Sequence, residues 1–142
     1  MKIEKIILSE LIKNTPVLPP ESGGILGGQS GIVTHYWADT GVSHMPARYA
    51  PNVNIINGMI AQWSTEGIEF YGIYHSHYAQ DRLLSKGDIA YIEKLMDSLP
   101  STIQSLYFPV VLPGIEVIAY RADRSGGKLQ FVCEKIEISE RM

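Results

Sequence analysis

Between Val53 and Pro100 the spacing of the apolar residues changes twice, and this change limits what the chain can fold into. Val53, Ile56, Ile60 and Trp63 recur at helical spacing, which predicts an amphipathic helix over Val53 to Glu66, ended by Gly67. Ile68 to His75 follows as a strand, with Phe70, Tyr71, Ile73 and Tyr74. Ser85 then opens a second helix, with Ile89, Ile92 and Met96 along one face, stopped before Pro100. A strand set between two amphipathic helices implies a sheet with helices packed against it.

The flanking segments extend that sheet. Ile3 to Leu8 is apolar enough for a short strand or an early helix, and Ser9 to Lys13 reads as one or two helical turns. Pro16, Pro19 and Pro20 hold the chain extended. In Glu21-Ser22-Gly23-Gly24-Ile25-Leu26-Gly27-Gly28, paired glycines around Ile-Leu predict a strand approached closely by another backbone. Gln29 to Gly31 is a turn, Ile32 to Trp37 a strand, and Asp39 to Asn52 a loop broken by Gly41, Pro46 and Pro51. Three β-rich stretches close the chain: Ser105 to Leu112, Glu116 to Tyr120 and Lys128 to Ile138, with turns at Pro113-Gly114 and Ser125-Gly126-Gly127. The expected class is α/β (α+β), a mixed β-sheet flanked by helices. With 142 residues and no repeat or low-complexity linker, a single domain over 1–142 is expected.

Composition narrows the function. The net charge is -3 and the basic residues are scattered, which argues against a nucleic-acid partner. No apolar run is long enough to span a membrane. Met1 to Lys5 lacks the layout of a signal peptide, so a cytoplasmic protein without membrane partners is expected. Cys133 is the one cysteine, which excludes both an internal disulfide and the Cys-rich zinc sites.

The candidate chemistry centres on His75-Ser76-His77 at a strand end. Side chains at i and i+2 share one face of a strand, so two imidazoles can reach one ion. Ser85-Lys86-Gly87-Asp88 has two readings. A serine with an acid three residues on is a helix capping box, and an acid in that first turn can also face a metal as third ligand. Glu21, between prolines and glycines, is either a solvated loop carboxylate or a general base. Two His and one carboxylate leave a fourth position for water, the pattern of catalytic zinc. Zinc lowers the pKa of a bound water to about 7. A nearby carboxylate can move its proton, and a hydroxyl can stabilise the oxyanion.

A glutamate before paired glycines, then His-Ser-His, seven residues, Ser, two residues and Asp resembles the motif of the JAMM (MPN-plus) zinc metalloproteases. Phe70 to His77 looks like that family's metal strand, and the resemblance spans about Pro20 to Tyr120. It implies an MPN/JAB-like, cytidine-deaminase-like sandwich with one zinc (Zn2+) per chain. It implies that His75, His77 and Asp88 are metal ligands, Glu21 the acid/base and Ser85 the group that stabilises the tetrahedral intermediate. It implies an isopeptidase or peptidase acting after the C-terminal tail of a ubiquitin-like protein, or on a sulfur-carrier protein of the same fold. Adenylating and conjugating enzymes are then the expected pathway partners. The sequence departs from the motif at Tyr78, where the family usually has Pro, which bears on the loop between His77 and Ser85. The short connection Leu99 to Gln104 lacks the insertion of many eukaryotic members and suggests a prokaryotic-type core. A substrate tail can add as a strand along a sheet edge, with Asp39 to Asn52 the candidate flap.

Other readings stand beside this one. A cupin also uses His-x-His with a later carboxylate, here Asp81, but would be almost all β. Zinc deaminases need paired cysteines, and the helical His-Glu-x-x-His of other zinc proteases is absent. A non-catalytic MPN scaffold is the alternative of another class, although such domains typically lack some ligands. Among the remaining residues, His35 reads as a strand residue, His44 as a loop residue and Trp63 as core. Trp37 has either role, Asn57 faces solvent or supports a metal ligand from behind, Cys133 is a small buried hydrophobe, and Glu134, Glu137 and Glu140 form a solvated face.

Overall fold

Apolar residues at neighbouring positions of the central strands point to opposite faces of one sheet, and both faces are covered. The computed structural model describes residues 1–17, 21–39, 53–78 and 81–140. Its elements are β1 (Lys2–Glu4), α1 (Lys5–Asn14), β2 (Gly23–Gln29), β3 (Ile32–Asp39), α2 (Val53–Thr65), β4 (Glu69–Ser76), α3 (Lys86–Ser98), β5 (Ser105–Tyr107), β6 (Val110–Leu112), β7 (Glu116–Ser125), β8 (Lys128–Glu134) and β9 (Glu137–Ser139). The fold is α+β, one mixed sheet flanked by three helices.

Strand β4 lies inside the sheet, antiparallel to β2 on one side and parallel to β5 and β6 on the other. β7 pairs antiparallel with β5, β6 and β8. Beyond β2 come β3, then β1 and β9, with β1 parallel to both of its neighbours. Ile25 and Ile73 join one core with Trp63 of α2 and with Ile92 and Met96 of α3. Leu26 and Tyr74, one residue on, join the other core with Ile7 and Leu11 of α1. Ile25 and Leu26 are fully buried, and burying each such side chain contributes about 1.5–3 kcal/mol.

β2 has glycines where β3 and α2 press on it. A Cβ at Gly27 would lie 2.6 Å from the Trp63 ring, so the absent side chain seats the indole against the sheet. Ser30 and Gly31, with φ of 55° and 77°, make the tight turn between β2 and β3.

Several expectations are revised. The N-terminal helix runs Lys5–Asn14 rather than one or two turns, because Ile7 and Leu11 bury one stripe with Leu8 and Ile12 beside it. The stretch Ser105 to Leu112 is two strands broken at Phe108-Pro109, where proline offers no N–H to the ladder. β7 continues past Tyr120 to Ser125, held by β8 along its length. Lys128 to Ile138 splits into β8 and β9, and β9, two residues on, pairs with β1 at the other end of the strand order. Asp39 ends β3 as a buried strand residue, and the rest of the candidate flap, with His44, lies outside the described residues. Cys133 is exposed, not buried, because β8 is an edge strand with β7 as its neighbour in the sheet. Glu134 is half-buried rather than solvated, paired with the Met1 amine and Arg121 and accepting the Tyr107 hydroxyl at 2.9 Å. Trp63 is core, while His35 and Asn57 are exposed. No helix among the described residues is long and apolar enough to cross a membrane.

Candidate metal centre

The end of β4 is fixed from both sides. His75 N–H donates to Pro109 O at 3.1 Å and His77 N–H to Val111 O at 3.0 Å. Between them Ser76 N–H donates to Ser22 O at 2.7 Å, and Ser76 Oγ accepts from Ser22 N–H at 2.9 Å. The Ser76 side chain is fully buried on one face, so His75 and His77 share the other. Their rings stand 4.6 Å apart in an edge arrangement. Both histidines are buried.

Asp88 reaches the same face from the first turn of α3. Both capping-box contacts form: Asp88 N–H donates to Ser85 Oγ at 3.0 Å, and Ser85 N–H to Asp88 Oδ2 at 2.9 Å. The cap forms and leaves the ligand reading open to the same atom, because Oδ2 also lies 3.2 Å from His75 Nε2 and 3.0 Å from His77 Nε2. The two Nε2 atoms are 2.9 Å apart. Four ligands at zinc bond lengths of about 2.0–2.1 Å sit about 3.3 Å from one another at the corners of a tetrahedron. The three atoms are thus spaced nearly as a zinc ion requires, and among the described residues they are the one His/Cys/Asp/Glu group so arranged.

The donor set fits a cation chemically as well. His77 Nδ1 lies 3.0 Å from Asp81 O, a bond that needs the hydrogen on Nδ1. Nε2 of a neutral His77 is then a lone pair facing a carboxylate oxygen, and either a proton or a metal must separate them. Burial opposes a charge on His77. Its bonds to Asp88 and Asp81, with the charges of Asp88 and Glu21, outweigh burial and raise its pKa. For Asp88 too, burial favours the neutral acid. Bonds from His75 and His77, the charge of His75 and the Ser85 N–H outweigh it and hold the carboxyl well below its usual range.

Glu21 is half-buried just before β2. Gly23 pairs with His75, so continuing the antiparallel register sets Glu21 abreast of His77 and on its face. Ser85 is exposed at the edge of the site. Its Oγ accepts the cap bond, and its hydroxyl still carries a hydrogen to donate. All five residues singled out in the sequence therefore gather at one end of the sheet. Asp81, the carboxylate a cupin would use, lies on the far side of the His77 ring, Oδ2 3.6 Å from Nδ1. The helices also exclude an all-β cupin. Asp39 is a buried acid that sequence patterns do not single out. It lies abreast of Gly23, across which stands His75, and after burial its charge is what pushes the Tyr91 phenol up to about 12.

No protein-family model matches the chain, and no curated protein does. Solved structures share its fold. Protein DSY2949 from Desulfitobacterium hafniense superposes with a TM-score of 0.70 at 18% identity, over 99% of this chain and 94% of that one. A protein from Salinibacter ruber superposes with a TM-score of 0.60, also at 18% identity, over 99% of this chain and 92% of that one. At such identity the likeness is one of fold.

Proposed function

We propose that the chain is a zinc-dependent isopeptidase or peptidase of the JAMM type, built on an MPN-like sandwich, that cleaves after the C-terminal tail of a ubiquitin-like protein. The observation that carries this reading is the convergence of His75 Nε2, His77 Nε2 and Asp88 Oδ2 within hydrogen-bonding distance of one another. Those three residues would hold the zinc. When bound, zinc supplies a Lewis acid and hydroxide at neutral pH.

The chain's own groups supply the rest. Glu21, abreast of His77, takes a proton from the attacking water and delivers it to the leaving amine. Ser85 donates its hydroxyl hydrogen to the oxyanion developing on the scissile carbonyl. His77 keeps its Nδ1 hydrogen on the Asp81 carbonyl and so serves as a fixed ligand. A ubiquitin-like deconjugation substrate and a sulfur-carrier protein call for the same groups, and adenylating or conjugating enzymes would supply either.

The test is cleavage of ubiquitin-like and sulfur-carrier proteins bearing C-terminal extensions. Zinc-loaded wild type is expected to release the extension at the end of the tail, and Glu21→Ala is not. A zinc-loaded wild type that cleaves neither panel would support the non-catalytic scaffold instead.

A further inference from the structure

The loop after His77 is anchored to β7. Asp81 N–H donates to Tyr78 O at 3.1 Å, and Leu83 N–H to Asp81 Oδ1 at 3.3 Å. Tyr120 of β7 donates its hydroxyl to Arg82 O at 2.7 Å. Arg82 also forms an ion pair with Glu116 at the start of the same strand. Leu84 packs beside Val110, Leu112 and Ile118, with Tyr120 on the same cluster. Each contact holds the stretch that presents Asp81 O to His77 Nδ1.

We propose that Tyr120, assisted by the Arg82–Glu116 pair, is a positioning residue for the metal site: it fixes the loop so that Asp81 O holds the Nδ1 hydrogen of His77 and aims Nε2 at the ion. The proposal rests on the metal reading above. A ligating histidine needs its second nitrogen held, because that bond sets both the tautomer and the ring plane. The carbonyl doing this belongs to a loop, and Tyr78 gives the chain after His77 none of proline's fixed φ. The bonds within the loop fix its own turn, and contacts from outside it fix that turn against the sheet. Tyr120 can supply such a contact because its own backbone is tied into the sheet, opposite Cys133 on one side and accepting Phe108 N–H at 2.7 Å on the other. Water screens the attraction of the Arg82–Glu116 pair, whose side chains are 52% and 41% exposed.

The experiment compares the wild type with Tyr120→Phe, Glu116→Gln and the control Tyr107→Phe, which removes a phenol bonded to Glu134 instead. Zinc affinity is read by competition with a chromophoric chelator. The histidine tautomers of the zinc-free chains are read from their ring 1H–15N spectra at alkaline pH, where the imidazoles are neutral. Tyr120→Phe is expected to bind zinc about tenfold more weakly, at the lower end of the effect of groups that orient ligands, and to mix the His77 tautomers. Glu116→Gln should give a smaller loss of the same sign, and Tyr107→Phe none. Tyr120→Phe with wild-type affinity and His77 still in the Nδ1–H form would overturn the proposal while leaving the metal reading intact, as would equal losses in Tyr120→Phe and Tyr107→Phe. A wild type that takes up no zinc would remove the metal reading and this inference with it.

Discussion

His75 and His77 are legible in the sequence because strand geometry alone puts i and i+2 on one face, and Asp88 because a capping box fixes its helix turn. Glu21 is different in kind. Its place beside His77 comes from strand pairing across more than fifty residues of chain, anchored by the Ser22–Ser76 bonds. On the proposed chemistry, Glu21→Ala keeps its zinc and loses about 10²-fold or more in turnover, the usual worth of a general acid/base. Elemental analysis beside a cleavage assay checks this, and loss of zinc in the variant would contradict the role. Gly27→Ala tests a packing claim. Its Cβ would stand 2.6 Å from the Trp63 ring and 2.7 Å from Glu69 O, and overpacking of that kind costs about 1–3 kcal/mol. A lowered melting temperature is expected, and an unchanged one would mean that the indole is not seated on this glycine. Asp39 and Glu134 illustrate what a sequence hides. Each acquires its environment from distant strands, and no local pattern separates a buried acid of this kind from a solvated one.

At the level of elements, the central helices are readable because their apolar periodicity runs over several turns, whereas the short strands β5, β6 and β9 carry too few residues for a period to declare itself. The N-terminus of α3 joins stability to chemistry. Ser85→Ala removes a cap worth about 1 kcal/mol. On the proposed mechanism it also removes an oxyanion donor, worth about 10²–10³-fold in turnover. A melting scan and a rate measured on the folded fraction separate the two, and an unchanged rate with a lowered melting temperature would leave Ser85 a cap alone. The end of β4 sets the pH response. The folded pKa of His77 lies above its usual value. In the zinc-free protein its contribution to stability is therefore fully present below about pH 6.5 and is lost as pH rises through the raised pKa. Zinc must displace that proton, so the rise in melting temperature caused by zinc should grow between about pH 6 and pH 8. A rise independent of pH would show that zinc is not bound through His77.

On the scale of the whole molecule, the site is where the sheet's two kinds of pairing meet. β4 runs antiparallel to β2 and parallel to β6, so the segment bearing Glu21 and the loop after β6 both converge on its C-terminal end. α3 is packed on the same face through Ile92 and Met96 and delivers Asp88 from above. The class of this architecture follows from alternating helices and strands, but its strand order does not. The chain passes from β8, paired with β7, to β9, paired with β1, through two residues, and no local pattern in so short a link announces the change of partner. The central claim is that this convergence holds a metal ion. Elemental analysis of the purified wild type beside Asp88→Ala and His75→Ala tests it most directly. About one zinc per chain, as for a single three-ligand site, lost in both variants, is the expected result. No metal in a wild type supplied with zinc, or the same content in all three proteins, would contradict it.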